Sequence, residues 1–73
     1  MIIVDAEQTG KNIRHFRKEK GIGAKQFSKM LNVNYPVLFS WESGVRVPSL
    51  EMMYNISEVL GVKMDLIVSR KGV

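Results

Sequence analysis

The stretch FSKMLNVNYPVLFSW, residues 27–41, decides the fold of this chain. On a helical projection, its inward positions lie on one face of a helix, then in a turn, then on one face of a second helix. These positions are Phe27, Leu31, Val33, Leu38 and Trp41. The segment Asn32-Val33-Asn34 reads as the turn, since Asn tolerates left-handed backbone geometry and also caps helices. The spacing predicts two helices packed at a steep angle, although any compact helical hairpin could show it.

Capping residues extend the prediction to the rest of the chain. Asp5 with Gln8 caps a first helix, in which Gly10 is an unfavourable residue. Asn34 caps the third helix, and Ser49 caps the fourth. The apolar face of that fourth helix comprises Leu50, Met53, Ile56 and Leu60. We therefore predict an all-α chain of five helices, over residues 6–20, 24–31, 35–43, 50–60 and 64–68.

Length and composition fit one small domain. The chain has 73 residues, of which 45% are hydrophobic and 25% are charged, so a core can form and disorder is not expected. We expect one domain over 1–73, with its core at about 6–68 between a short N-terminal arm and a frayed C-terminal tail. No apolar run approaches the roughly 18 residues of a membrane span, and no targeting signal is recognisable, so we expect a cytoplasmic protein.

The positive charge is concentrated in one segment. Residues 11–29 contain seven basic residues and one acidic residue, so this segment carries +6 although the whole chain carries +4. Such a block fits a polyanionic partner, nucleic acid first, and it fits a solvated helix face about equally well. Lys11, Arg14 and Lys18 would share the outer face of the first helix, and for these three we favour the solvated face.

The sequence offers no set of residues for catalysis or metal binding. It contains no cysteine, which excludes a disulfide framework, a thiolate metal site and a Cys-His pair. His15 is the only histidine and adjoins Phe16, so we expect it at the surface or at a boundary. Gly21-Ile22-Gly23 lacks the further spacing and the preceding strand of a phosphate-binding loop. We therefore predict no enzymatic activity, no cofactor and no metal.

The segment from about Gly10 to Val68 resembles the DNA-binding domain of the phage repressor and Cro-like family, the XRE type of helix-turn-helix. The likeness is carried by Ile13, Phe16 and Arg17, the frame 27–41, Trp41-Glu42-Ser43-Gly44, Pro48-Ser49-Leu50-Glu51 and Leu60-Gly61-Val62. It implies a compact five-helix domain in which the second and third helices form the central helix-turn-helix. It also implies an ion pair between Arg17 and Glu42, which would tie the first helix to the third.

The resemblance implies a sequence-specific transcriptional regulator, expected to be a repressor without a ligand-sensing domain. It would bind duplex DNA as a dimer and insert its third helix, about 35–43, into the major groove. The family's base-reading positions fall on Tyr35, Pro36 and Ser40, with Phe39 alongside. None of these is a long amide or a guanidinium, so readout would rest on hydroxyl groups, on thymine methyl contacts and on DNA shape.

The phosphate contacts that the resemblance implies are incomplete at the start of the second helix. The family usually has a Ser or Thr cap followed by Gln there, whereas this chain has Gly23 and Ala24. Backbone amides at those positions could still bind a phosphate. The other candidates are basic or hydroxyl residues expected near the same edge, namely Arg17, Lys20, Lys25, Lys29, Ser43 and Arg46.

Two questions about partners stay open. The expected homodimer would use apolar residues of the fifth helix and the N-terminal arm, unless they merely close the core; they are Leu66, Ile67, Val68, Ile2, Ile3 and Val4. Tyr35 and Phe39, if exposed, would form an aromatic patch of a kind that monomers usually hide. The alternative function is therefore a protein-interaction module of the same fold, similar to some antitoxins or antirepressors.

Overall fold

The computed structural model describes residues 1–72, and over that range it contains five α-helices and two short β-strands. In chain order the elements are β1 (Ile2–Val4), α1 (Ala6–Glu19), α2 (Ala24–Met30), α3 (Tyr35–Glu42), α4 (Leu50–Leu60), α5 (Met64–Ile67) and β2 (Arg70–Gly72). The predicted five-helix fold is confirmed, with helix bounds that agree to within one residue. None of the helices in this range is long and apolar enough to cross a bilayer.

Side-chain caps begin the two longest helices, as the sequence predicts. The Asp5 carboxylate accepts a hydrogen bond from the backbone amide of Gln8 at 3.1 Å. The Ser49 hydroxyl accepts one from the Met52 amide at 3.2 Å. Such a cap stabilises a helix by about 1 kcal/mol, because it satisfies an amide that has no intrahelical partner. Asn34 has the backbone geometry of an N-cap but makes no side-chain bond, so α3 begins without that contribution.

The core lies between the helices and is formed by their inward apolar residues. The buried set is Ile13, Phe27, Leu31, Leu38, Trp41, Met53, Ile56, Leu60 and Ile67. This set confirms the frame predicted from residues 27–41, with Val33 partly buried against it and Asn32 in the left-handed region at φ 58°. The prediction for Leu50 is wrong, since its side chain is 66% exposed. It begins α4 and points roughly 90° away from the direction shared by the three buried residues of that helix.

The two ends of the described chain pair with each other, so the predicted frayed tail is wrong over residues 70–72, and the predicted N-terminal arm forms a β-strand. β1 and β2 form an antiparallel two-stranded sheet, in which Ile3 lies opposite Lys71. The Thr9 hydroxyl accepts a hydrogen bond from the Ser69 amide at 2.9 Å, and this bond fixes the chain after α5 against α1. Because β2 is held there, it can pair with β1. Val73, the last residue of the predicted tail, lies outside the described residues.

α1 crosses α3 at a glycine. A β-carbon at Gly10 would overlap the carbonyl oxygen of Trp41 and would lie 2.7 Å from the carbonyl oxygen of Glu42. Two backbones can approach this closely only where no side chain intervenes. Gly10 is unfavourable for an isolated helix, by about 1 kcal/mol relative to alanine, but the packing of α1 on α3 requires it.

Candidate nucleic-acid interface

The inner face of α3 holds this helix on the body of the protein. Leu38 is fully buried and Trp41 is 7% exposed, and both belong to the core that also contains Phe27 and Ile13. Burying one such side chain stabilises a fold by roughly 1.5–3 kcal/mol. α3 therefore has a fixed orientation, in which the residues on its opposite side point away from the core.

A buried ion pair joins α1 to the end of α3. Arg17 Nε donates to Glu42 Oε2 at 2.7 Å, and Nη2 donates to Oε1 at 3.0 Å, so the pairing is bidentate. The third nitrogen, Nη1, donates to the carbonyl oxygen of Ile22 at 2.9 Å. The hydrogen bond with the Glu42 carboxylate raises the pKa of Arg17 above its ordinary value, although burial of the guanidinium acts in the opposite direction. The pair that the family resemblance implies is present in the structure.

The outer face of α3 presents aromatic and hydroxyl groups to solvent. Tyr35 is 42% exposed and Phe39 is 58% exposed, and their ring centroids lie 6.3 Å apart. Pro36 is exposed on the same helix, and Ser40 is half-buried. The Ser40 hydroxyl donates to the Val37 carbonyl oxygen at 2.6 Å, so its proton is engaged and its lone pairs remain for an outside donor. The predicted base-reading residues thus share the exposed side of α3.

A shallow depression lies on each side of α3, and each depression contains one exposed arginine. The first brings Arg46, from the loop between α3 and α4, together with Pro36, Val37 and Ser40. The second brings Arg14 of α1 together with Tyr35, Phe39 and Ser43. α3 itself has no lysine or arginine, so these two arginines provide positive charge beside the helix.

Arg14 is a functional candidate that the sequence pattern does not reveal. Arg14 is exposed, as predicted, but it borders α3 and does not lie on an outer face away from that helix. Gly10 packs against the main chain of α3, and Arg17 pairs with the end of that helix. Arg14 lies between them, on successive turns of α1, and therefore borders α3. The spacing of residues 10, 14 and 17 carries this information, but only once the helix that packs on this face is known.

Two of the predicted phosphate contacts lie where the sequence does not place them. Arg17 is 7% exposed and its guanidinium is bonded to Glu42 and Ile22, so little of it is accessible, and its phosphate-binding role stays a prediction. Lys20 is exposed and follows the end of α1. Its ammonium lies beside Gly61 at the carboxyl end of α4, since a β-carbon at position 61 would be 3.5 Å from Lys20 Nζ. A cation is favourable there because of the helix dipole.

The other predicted phosphate contacts are accessible. Lys25 and Lys29 are exposed on α2, and Ser43 is exposed after α3. Gly23 occupies the N-cap position of α2 without a side-chain cap, and Ala24 is half-buried behind it. The phosphate-binding role of these residues stays a prediction.

The residues expected in a dimer contact separate into buried and exposed groups. Ile67 is fully buried in the core, so the prediction that it contributes to a dimer interface is wrong. Val68 is partly buried against that core, whereas Leu66 is 57% exposed. β1 is exposed along its whole length.

His15 lies on the surface, as predicted. Its Nε2 is 3.6 Å from Glu19 Oε1 one turn further along α1, and its ring meets that of Phe16 edge to face with centroids 5.1 Å apart. Within residues 1–72, no group of three or more His, Cys, Asp or Glu residues is arranged to hold a metal ion.

These features define a helix-turn-helix protein in which α3, the second helix of the motif, has an exposed outer face. DNA-binding regulators of the XRE type belong to this class. The helix-turn-helix family model matches residues 13–67, so the chain belongs to this family. The chain is 36% identical over 62 residues to the uncharacterized HTH-type transcriptional regulator YazB of Bacillus subtilis (strain 168), a match that covers 85% of this chain and 90% of that protein. The predicted family is thereby confirmed.

Solved structures agree with this assignment. The biofilm regulator SinR, in complex with DNA, is 29% identical with a TM-score of 0.73, and the match covers 78% of this chain and 92% of that chain. The clp gene regulator ClgR from Corynebacterium glutamicum is 26% identical with a TM-score of 0.77, over 84% of this chain and 80% of that chain. The restriction-modification controller protein C.AhdI from Aeromonas hydrophila shares the fold. It is 19% identical with a TM-score of 0.80, and the match covers 86% of this chain and 96% of that chain.

Proposed function

We propose that this protein binds duplex DNA as a homodimer, inserts α3 into the major groove and represses transcription by occupying an operator. The observation that carries the proposal is the division of α3 into two faces. Leu38 and Trp41 are buried on one face, while Tyr35 and Phe39 are exposed on the other. A helix held in this way can enter a groove without a change of fold. The complex of SinR with DNA, from a protein 29% identical to this chain, supports the same use of the fold here.

The chemistry of the outer face favours apolar contacts and shape over hydrogen-bond readout. Phe39 and Pro36 suit contacts with thymine methyl groups, and the Tyr35 hydroxyl can donate or accept. A good bidentate pair would supply about 1–3 kcal/mol of discrimination between bases, but this face has no long amide or guanidinium to make one. The operator should therefore be rich in A·T pairs, with DNA shape contributing to specificity.

Positive charge around α3 would supply affinity that does not depend on sequence. Lys25 and Lys29 on α2 and Arg46 after α3 are exposed cations, and the main chain at Gly23 and Ala24 offers amides beside them. Each phosphate that a protein neutralises steepens the logarithmic dependence of affinity on salt by about 0.9. DNA binding by this protein should accordingly weaken steeply as salt is raised.

A dimer is part of the proposal because one such module reads half of a site. The described chain measures 36 × 22 × 20 Å, and its longest dimension is similar to the roughly 34–36 Å that separate two half-sites one DNA turn apart. Leu66 and β1 are exposed apolar surfaces outside α3, and we propose them as the contact between copies.

A second candidate function is a protein-interaction module, and the exposure of the aromatic pair on α3 favours it. Phe39, at 58% exposed, is a large apolar group that a partner protein could cover. On this alternative, α3 would contact protein instead of DNA.

A salt titration of DNA binding separates the two functions. The affinity for a mixed-sequence duplex is measured between about 50 and 200 mM salt, with Phe39→Ala and Tyr54→Ala as matched variants. Both side chains are 58% exposed, but Tyr54 lies on α4. We expect a steep loss of affinity with salt, and weaker binding for Phe39→Ala only. A protein that ignores DNA, and forms a salt-insensitive complex that Phe39→Ala dissociates, would contradict the proposal and support the alternative.

A further inference from the structure

We infer that the depression between α1 and α3 binds a backbone phosphate of DNA, and that Arg14 is the residue that holds it. This inference rests on the proposed function and adds Arg14 to the phosphate contacts predicted there, of which Ala24 and Ser43 also line the depression. The depression has a volume of about 310 Å³ and lies on the α1 side of the exposed aromatic pair, Tyr35 and Phe39. The sequence pattern alone gives Arg14 no role beyond a solvated surface.

The position of Arg14 is fixed by its neighbours on α1. Gly10, one turn before it, packs on the main chain of α3, and Arg17, one turn after it, is bonded to Glu42. Residues spaced by three or four lie on adjoining positions of a helix surface. Arg14 therefore stands on a rigid part of α1 that cannot turn away from α3 without breaking both contacts.

The charge of the depression is that of Arg14. Arg17 and Glu42 also border it, but they neutralise each other. Arg14 is exposed and, among residues 1–72, makes neither a hydrogen bond nor an ion pair in the structure. Its guanidinium is thus available, and a planar guanidinium fits two oxygens of a phosphate group.

The hydroxyl groups at the rim fit the same ligand. Tyr35 and Ser43 line the depression with Arg14, and each carries a hydroxyl that can donate to a phosphate oxygen. The Ser43 hydroxyl donates to the Ser40 carbonyl oxygen at 3.3 Å, a long bond that it can exchange for a shorter one to a charged acceptor.

A phosphate fits this place better than a base because of where the depression lies. A helix in the major groove has base edges in front of it and a phosphate strand on each side. Arg46 lies in the depression on the opposite side of α3, with Pro36 and Ser40. The two arginines therefore flank the reading helix, one towards each strand, and provide the cations that α3 lacks.

The test compares Arg14→Gln with Lys11→Gln, two variants that each remove one positive charge from the exposed surface of α1. Salt slopes and affinities are measured on two unrelated duplexes, with thermal melting to show that each variant is folded. We expect Arg14→Gln to reduce the slope by about 1.8, because a dimer loses two phosphate contacts at about 0.9 each. It should weaken binding to both duplexes by the same factor, whereas Lys11→Gln keeps the wild-type slope. Arg14→Lys should keep the slope but bind more weakly, because an ammonium cannot make the bidentate contact.

If Arg14→Gln keeps the wild-type salt slope, or loses affinity for only one of the two duplexes, the phosphate site is overturned but the proposed DNA binding is not. A wild-type protein without salt-dependent DNA binding would overturn the proposed function, and the phosphate site with it.

Discussion

Gly10 on α1 lies against the carbonyl oxygen of Trp41 on α3, so closely that a β-carbon at position 10 would overlap that oxygen. The contact brings the two helix backbones together at the point where α1 crosses α3. It also sets which face of α1 meets the reading helix, and hence places Arg14 and Arg17 beside it. The presentation of α3 therefore depends on a residue without a side chain.

Gly10→Ala should destabilise the protein even though alanine is the better helix former. Overpacking of this kind costs about 1–3 kcal/mol, and more where the obstructing atoms belong to a backbone, while the gain in helix propensity is about 1 kcal/mol. We expect a net loss of about 2 kcal/mol in the free energy of unfolding, measured by chemical denaturation. Lys11→Ala, at the exposed neighbouring position, should change it by less than about 0.5 kcal/mol. Equal stabilities for the two variants would contradict the close packing.

Glu42→Ala should destabilise the protein far more than Glu58→Ala. Removing the Glu42 carboxylate leaves the Arg17 guanidinium charged and buried, which costs about 3 kcal/mol. That is a large share of the stability of a chain of this size. Glu58 is exposed on α4, so its replacement should cost less than about 0.5 kcal/mol. Equal melting temperatures for the two variants would show that the ion pair contributes nothing to the fold.

The difference in melting temperature between Glu42→Ala and Glu58→Ala should not change with pH near neutrality, because Arg17 stays protonated there. Glu42 raises the pKa of Arg17 in the folded state. The stability that the protonated Arg17 contributes is therefore fully present below the ordinary pKa of arginine, and it is lost only as the pH rises through the raised pKa of the folded state. Arginine is protonated throughout the range in which proteins are studied. Melting curves at about pH 7 and about pH 9 should give the same difference, and a smaller difference at the higher pH would contradict this account.

The sequence predicts those parts of the fold that depend on local patterns. The spacing of Phe27, Leu31, Leu38 and Trp41, together with the Asp5 and Ser49 caps, is enough to locate the helices and the motif. The pairing of β1 with β2 is not predictable in this way, because it joins opposite ends of the chain through bonds such as that between Thr9 and Ser69.

The site is predictable where a residue's environment follows from its own helix. The exposure of Tyr35 and Phe39 follows from the burial of Leu38 and Trp41 on the opposite side of α3. The role of Arg14 does not follow, because helical periodicity shows which residues share a face of α1 but not which helix covers that face. The burial of Ile67 and the exposure of Leu66 could not be predicted either, because α5 has only four residues and its apolar pattern does not distinguish a core face from a surface face.

Gly23→Ser should stabilise the protein. Gly23 is the N-cap of α2, with an extended backbone at φ −71° and ψ 154°, no side-chain cap, and no atom within 4 Å of the place a β-carbon would take. A serine hydroxyl can cap the helix there, and the loss of glycine's freedom in the unfolded chain adds to the effect, for a gain of about 0.5–1 kcal/mol. Gly21→Ser is the matched control.

Gly21 has equally open surroundings but lies in the left-handed region at φ +70°. Serine there should cost about 1 kcal/mol, because its β-carbon crowds the backbone in that conformation. The two serine variants should therefore change the melting temperature in opposite directions. A shift of the same sign in both would contradict the cap argument.

Leu66→Glu should weaken self-association. Leu66 is 57% exposed on α5, and we propose it as part of the contact between copies, so a charge there would have to be buried on dimerisation. Leu50→Glu places the same charge at a leucine that is 66% exposed on α4 and should leave association unchanged. Sedimentation velocity over a range of concentrations measures both. Dissociation by Leu50→Glu but not by Leu66→Glu would move the interface to α4.

The most direct measurement of the central claim is a selection from random duplex DNA at several salt concentrations. If α3 reads the major groove from a dimer, the selected sequences should contain two A·T-rich half-sites with centres about 10–10.5 base pairs apart, and their affinity should fall steeply with salt. Replacing Phe39 by alanine should change the bases preferred within each half-site. Selected pools without a shared motif, bound no better than the starting mixture at any salt concentration, would contradict the claim that this protein is a DNA-reading regulator.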